Sequence, residues 1–333
     1  MSLQTSTYTS LETVSEIRPS SARGEPQGRR AREASARGEP QGRRARETST
    51  TAADDEHRRR LHGMWAAVAP SWEHHADYVD ARGEAITREL LAAVAPGSGD
   101  RVLELACGAG GMGLAAASLV GPEGTVVVSD VVSEMTAIAA RRAAAMGLDN
   151  VTARPLDLEE IAEPDGAYDV VLCREGLMFA ADPARAAGEI ARVLRPGGRV
   201  AIAVWGPRDR NPWLGVVFDA VSAQMGVPMP PPGMPGPFAL GDAGRLQGLL
   251  VDAGLADVAV RERPVPLVSP SFEDWWARTS SLAGPLSAVL ASLPAEAKVD
   301  LEARVRTAVA PYETADGLRF PGLTLLASGR RAR

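Results

Sequence analysis

The sequence predicts an α/β fold, a doubly wound sheet of seven strands that is mostly parallel with an antiparallel C-terminal strand, carrying a helical lid. Three observations lead there. Between Arg101 and Gly206, short β-branched runs alternate with alanine-rich segments, the pattern of strands separated by helices in a parallel sheet. The first of those runs ends in a glycine-rich turn, VLELACGAGGMG from Val102 to Gly113, where backbone can pass close to a ligand before a helix begins. Two later runs, DVAVRERP and RFPGLTLLASG, follow an irregular section and supply strands that can close the sheet antiparallel.

The chain begins with a tandem duplication, SARGEPQGRRARE at Ser21–Glu33 and again at Ser35–Glu47. Alanine is its only recurrent apolar residue, so neither copy buries enough surface to offset the entropy of ordering. Residues 1–54 are therefore expected to be a disordered, solvated arm, and the interleaved glutamates dilute any attraction of its arginines for acidic partners. From Asp55 the pattern turns helical, with Leu61, Trp65, Val68 and Trp72 along one face, and a second helix is expected from Ala81 to Val94, ending at APGSGD. Residues 55–98 thus read as an N-terminal helical lid, and residues 99–333 as the main domain.

Within that domain RVLELA, TVVVSD, VTARPL, YDVVLC and RVAIAVW are the first five strands, with helices after the first, second and fourth. A helix from Pro212 to Met225 follows, then VPMPPPGMPGPF, which cannot be helical. A helix near Asp242 to Ala253, the strand DVAVRERP, a helical region from Phe272 to about Ala310 and the final strand complete the chain. Insertions at about 207–240 and 268–312 are expected to cap a substrate site.

The composition excludes several classes of function. A net charge of -6 gives no general attraction to phosphate backbones, which argues against a nucleic-acid partner and favours a small-molecule substrate. Cys107 and Cys173 sit at the ends of apolar runs, outside any paired-ligand spacing, so neither a disulfide nor a metal centre is expected. No stretch approaches a membrane span and the N-terminus lacks a signal-peptide layout, so no membrane association and a cytoplasmic location are expected. Lys298 is the only lysine, which nearly excludes a lysine nucleophile; the arginine bias fits a GC-rich bacterial genome. A homodimer is compatible with all of this.

Gly108, Gly110 and Gly113 satisfy the GxGxxG spacing of a dinucleotide site, so the glycines alone leave an NAD(P)-dependent oxidoreductase open. Glu104 inside the strand points elsewhere. A carboxylate there would repel a pyrophosphate but suits a ligand with an ammonium group, such as the methionine end of S-adenosylmethionine; the alternative is a glutamate capping the turn. Asp130 closes the second strand, where an acid can accept from both ribose hydroxyls under either cofactor reading. Asp157, followed by Leu158, can accept from an adenine amino group while the next N–H donates; the alternative is a helix N-cap.

At these residues the chain resembles the class I S-adenosylmethionine-dependent methyltransferases, in particular the small-molecule group of ubiquinone and menaquinone C-methyltransferases. The resemblance covers about residues 62 to 329. It rests on ELACGAGG, on Asp130 with Met135, on DLEEIAEPDGAYD from Asp157 to Asp169, and on CREGLMFAADPARAAGEIARVLRPGGRVAIAVWG from Cys173 to Gly206. The resemblance implies a Rossmann-like sheet and S-adenosyl-L-methionine as cofactor. It implies that Glu104, Ala106, Gly108 and Gly110 lie near the methionyl moiety, that Asp130 with Val131 and Met135 holds the ribose side, that Asp157 and Leu158 frame adenine, and that Arg174 lies beside the cofactor. Related sequences often carry polar amides where this chain has Arg174 and Glu175.

Methyl transfer from a sulfonium is an in-line displacement with an excellent leaving group, so the protein mainly aligns the partners and excludes water. A base is needed only for weak nucleophiles. All four histidines, His57, His62, His74 and His75, precede the first strand, and His75 in the lid is one candidate base. Glu175, just past the fourth strand, is the other; its alternative role is an ion pair with Arg174 or another arginine. Trp72, Trp205, Trp213 and Phe218, with Trp275, Trp276, Met225, Met229 and Met234, are candidates for an adaptable apolar acceptor pocket or for core. The expected activity is methylation of a hydrophobic small molecule in secondary metabolism, with oxygen favoured over carbon or nitrogen. A non-methylating cyclase on the same fold is the alternative that keeps the cofactor.

Overall fold

The computed structural model describes residues 41–230 and 234–333, with side chains from residue 58 onward. By its contacts the chain divides into Met1–Glu47 and Thr48–Arg333, and all that follows concerns the second unit except the first turns of one helix. That helix, α1, runs from Gln41 to His74. It starts inside the segment expected to be a disordered arm to residue 54; once one end of a helix is anchored by packing, extending it over residues such as Ala, Arg and Glu costs little per residue. The first duplicate copy and the first six residues of the second lie outside the described residues.

The second helix, α2 (Ala76–Val94), starts five residues before the expected Ala81 and ends on Ala95 in the left-handed region. Then come β1 (Arg101–Leu105), α3 (Gly111–Val120), β2 (Thr125–Asp130), α4 (Ser133–Ala145), β3 (Val151–Pro155) and β4 (Tyr168–Arg174). They are followed by α5 (Pro183–Val193), β5 (Leu194–Trp205), α6 (Pro212–Met225), α7 (Ala243–Asp252) and β6 (Leu255–Pro264). The chain closes with β7 (Leu267–Ser269), α8 (Phe272–Leu282), α9 (Gly284–Ser292), α10 (Ala295–Val309), β8 (Glu313–Thr314), β9 (Gly317–Phe320) and β10 (Leu323–Arg331).

The main sheet has seven strands in the order β3-β2-β1-β4-β5-β10-β6. β1 to β5 pair in parallel, and β10 is antiparallel as expected, inserted between β5 and β6. Chain order reverses between β1 and β4, which opens a crevice at their carboxyl ends. Valines and leucines of β1, β2 and β4, such as Val102, Leu103, Val128 and Val171, are buried because helices cover both faces of the sheet.

Two departures have local causes. The expected final strand is broken at Pro321–Gly322, and the piece before the break, β9, joins β7 and β8 in a separate three-stranded sheet. The expected helix from Phe272 to Ala310 is cut into three by Gly284–Pro285 and Pro294. These pieces pack with α6 in a second core around Trp213, Phe218, Trp275 and Phe320. Part of the proline-rich stretch before residue 234 lies outside the described residues; Met225 and Met234 are exposed and do not line the cavity described below. No helix among the described residues is long and apolar enough to cross a membrane.

Candidate functional site

One cavity lies over the carboxyl ends of the parallel strands, and fourteen of the candidate residues named from sequence line it, whereas Trp275, Trp276, Met225, Met229 and Met234 do not. They follow the sheet order. Asp157 and Leu158 stand after β3, Asp130 and Val131 at the end of β2 with Met135 on α4, Glu104 and Ala106 at the end of β1 with Gly108 in the turn, Arg174 and Glu175 at the end of β4, and Trp205 at the end of β5. Trp213 and Phe218 on α6 extend the last wall, and Trp72 of α1 closes over the glycine turn. With strands spaced by about 4.8 Å, these groups form a row from acids on one side to aromatic rings on the other.

The glycine turn is shaped by contacts that only glycine allows. Gly108 has φ of 52°, and a Cβ there would meet the Trp72 ring at 2.8 Å. Gly113 would bring a Cβ to 2.5 Å from Glu104 and from Val128. Gly110 does not reach the cavity: it caps α3 in the left-handed region and presses on Ala139 of α4, so its glycine serves helix packing.

Glu104 is buried, and its Oε2 accepts from the N–H of Gly113 at 2.9 Å. It therefore supplies the helix-capping acceptor that Gly110 lacks, while still lining the cavity. Burial pushes its carboxyl up to about 8, against the pull of Arg174 and of the Gly113 N–H. Asp130 accepts from Gly108 N–H at 3.0 Å and Val132 N–H at 3.1 Å, and burial raises it from its ordinary value despite those bonds. Asp157 accepts from the Glu159 N–H at 2.8 Å, forming a tight turn, so both of its sequence readings have substance: it caps its own turn and lines the cavity.

Arg174 turns toward α2. It donates to Thr87 Oγ1 at 2.8 Å and lies 3.9 Å from Asp80, whose other oxygen takes Arg142 at 2.5 Å. The ion pair between Arg174 and Glu175 that the sequence left open is absent. Glu175 adopts φ of 58°, a strained conformation for a side chain with a Cβ, and its N–H donates to Ala203 O at 2.7 Å. Its carboxylate has no hydrogen bond or ion pair among the described residues.

His75 does not line the cavity, which corrects one candidate. It occupies the break between α1 and α2, while Trp72 and Tyr78 on either side line the cavity. Its ring packs on His74 at 4.6 Å, and burial, His74 and Arg278 hold its pKa down. His62 lines the cavity instead.

Several lining residues escape the sequence reading. Arg58 of α1 donates to the buried Glu159 at 2.6 Å, and Glu159 also accepts from Ala181 N–H at 2.6 Å, so one ion pair ties the helix to the loop after β3. Arg58 continues the Leu61, Trp65, Val68, Trp72 series backward by three residues, a signal that could have found it. Trp72 donates to Leu282 O at 3.0 Å and Trp65 packs edge-on against Phe179 at 5.0 Å, holding α1 across the cavity. Arg82 lies 4.5 Å from the Trp213 ring centre, which itself meets Trp205 edge-on at 4.8 Å. Buried Asn211 fixes that wall: it donates to Leu323 O at 2.9 Å and accepts from Leu323 N–H and Trp213 Nε1 at 3.0 and 3.2 Å.

The donor set matches a zwitterionic nucleoside. Successive acids at the ends of β1, β2 and the loop after β3 offer acceptors to an ammonium, a diol and an amino group, and the glycine turn leaves backbone bare beside them. Among the described residues no group of three or more His, Cys, Asp or Glu side chains is placed to hold a metal ion.

Residues 96–212 match a family model described as a methyltransferase domain. The nocamycin O-methyltransferase of Saccharothrix syringae is 32% identical over 197 residues, spanning 56% of this chain and 70% of that protein. The ubiquinone/menaquinone biosynthesis C-methyltransferase UbiE of Francisella philomiragia is 28% identical over 170 residues, 50% of this chain and 68% of that protein. Among solved structures, the YcgJ protein of Bacillus subtilis shares the fold with a TM-score of 0.52 at 20% identity, over 74% of this chain and 98% of that one.

Proposed function

The chain belongs to the S-adenosylmethionine-dependent methyltransferases, and from that premise we propose that it methylates an oxygen of a hydrophobic small metabolite. Membership closes the oxidoreductase alternative that the glycine spacing had left open. The observation that carries the reading is the order of groups across the sheet: acids at β3, β2 and β1, the unpartnered Glu175 at β4, and aromatic rings from β5 onward.

In this reading the acidic half holds the donor. Asp130 accepts from the ribose hydroxyls, Asp157 and Leu158 frame the adenine, and Glu104 faces the ammonium, with Ala106, Gly108 and Arg174 around the methionyl end. Val131 and Met135 line the apolar side of the nucleoside. The bound donor supplies a methyl group on a positively charged sulfur that departs as a neutral thioether. Trp72, Trp205, Trp213 and Phe218 exclude water and hold the acceptor's apolar body on the β5 side. Glu175 lies between the halves, where its free carboxylate can take the proton of an acceptor hydroxyl. The O-methyltransferase named among the relatives favours oxygen over carbon. The lid role assigned to residues 55–98 fits the way Arg58, Trp65 and Trp72 span the cavity.

The test is turnover, read as S-adenosylhomocysteine release, over a panel of hydrophobic phenols, enols and carboxylic acids, for the wild-type protein and Glu175→Gln. Turnover on at least one hydroxyl acceptor, reduced about 100-fold or more in kcat by Glu175→Gln, is expected for a general base. Turnover confined to carbon acceptors would overturn the choice of oxygen, and an unchanged kcat in the variant would leave catalysis to alignment alone.

A further inference from the structure

The aromatic half of the cavity carries more hydrogen-bond donors than acceptors. Arg58 and Arg174, on the other half, have carboxylate partners in Glu159 and Asp80, although Arg58 Nε is itself buried without an acceptor. Arg82 and Arg278 are not. Arg82 is half-buried against the faces of Trp213 and Trp205, at 4.5 and 5.6 Å from their ring centres, and has no carboxylate within ion-pair distance among the described residues. Arg278 lies over the Tyr78 ring at 4.4 Å and gives one hydrogen bond, to Ser269 Oγ at 2.9 Å, while its buried Nε has no acceptor. Trp205 Nε1 is likewise buried without an acceptor.

These groups share one wall. Tyr78 and Arg82 are one turn apart on α2, hence on one helix face, and Arg278 sits on that same tyrosine. All four residues line the cavity. Two guanidiniums and an indole N–H in an apolar setting form a surplus of positive charge and donors that a ligand bringing oxygen acceptors and negative charge would satisfy, the Glu175 carboxylate of the same cavity being paired with neither arginine. Stacking on aromatic rings keeps each guanidinium's edge free for such a group. The chain's net charge of -6 makes this a local feature and not part of a general basic surface.

We propose that Arg82 and Arg278 are the anchor for a delocalised oxyanion, a carboxylate or enolate, borne by the hydrophobic acceptor. The proposal rests on reading this half of the cavity as the acceptor site, and it names the acceptor's chemical class: an amphiphilic organic acid with its apolar body against Trp213 and Phe218.

The experiment compares two carboxylates with their alcohols, 2-naphthoate with 2-naphthylmethanol and dodecanoate with dodecanol. Each is titrated by calorimetry into the full-length protein with and without S-adenosylhomocysteine, which is first titrated alone. At least one carboxylate is expected to bind about tenfold or more tighter than its alcohol. Arg82→Gln and Arg278→Gln should each remove most of that preference, leave alcohol binding within about twofold and leave S-adenosylhomocysteine binding unchanged. A carboxylate that gains nothing over its alcohol, or a gain that survives both variants, overturns the proposal while donor binding stands. Carboxylate binding that is displaced by S-adenosylhomocysteine would place the anion in the donor half and overturn it as well. Failure of S-adenosylhomocysteine itself to bind would instead overturn the donor reading, and the titrations without it still decide the role of the two arginines.

Discussion

Replacing Glu104 by Gln tests the electrostatics at the heart of the cavity. In the folded protein burial lifts this carboxyl from its ordinary 4.5 to about 8, so near pH 7 roughly nine carboxyls in ten carry a proton. The unfolded chain has the ordinary value and is ionised there. Between the two values the folded state binds one more proton than the unfolded state, so this group's contribution to stability falls as pH rises. The slope is about 1.4 kcal/mol per pH unit, or on the order of 2 kcal/mol from pH 6 to pH 7.5. Glutamine keeps an acceptor for the Gly113 N–H and does not titrate. Urea unfolding of both proteins across that range gives the difference directly. Asp130 and His75, which also have shifted values, are present in both proteins and cancel to first order. The variant's stability should gain on the wild type as pH rises; two parallel curves would refute the reasoning, because they would mean Glu104 is ionised in the folded state throughout.

Three further predictions concern the neighbouring residues. Asp130→Ala should weaken S-adenosylhomocysteine binding by more than about tenfold in calorimetry, and full affinity in a variant that still folds would remove it from the ribose role. Gly108→Ala forces a Cβ onto the Trp72 ring at a left-handed φ, so thermal unfolding should show a loss of roughly 1–3 kcal/mol; an unchanged midpoint would mean the turn relaxes freely. Asn211→Leu strips partners from the Leu323 N–H and C=O and the Trp213 indole, and should cost about 2–4 kcal/mol in urea unfolding; a neutral result would contradict the network's role in holding the acceptor wall.

The sheet and the acidic half of the site were readable in the sequence for one reason. In a doubly wound fold, functional groups stand at strand ends, and strand ends are marked by where apolar runs stop, as at Glu104–Ala106, Asp130 and Arg174–Glu175. The acceptor wall was only half readable. Trp205, Trp213 and Phe218 stand out in a chain with few aromatic residues, whereas Arg82 and Arg278 are lost among many arginines, and only tertiary packing distinguishes them. The small sheet of β7, β9 and β8 escaped because strands of two to four residues carry no periodicity. His75 was chosen for its place in the lid, and position along the chain does not tell which lid side chains face the cavity. The glycines of the first turn were legible as a set but not individually: Gly108 faces the cavity, while Gly110 serves the packing of α3 on α4.

The most direct test of the account uses S-adenosylmethionine labelled with 13C in its methyl group, incubated with the protein and the acceptor panel, followed by NMR of the product. The account predicts that the label appears as a methyl ether or ester on a hydrophobic molecule that also carries an acidic group, with one S-adenosylhomocysteine formed per methyl transferred. A label found on carbon, or an acceptor transformed with no S-adenosylhomocysteine formed, would contradict it.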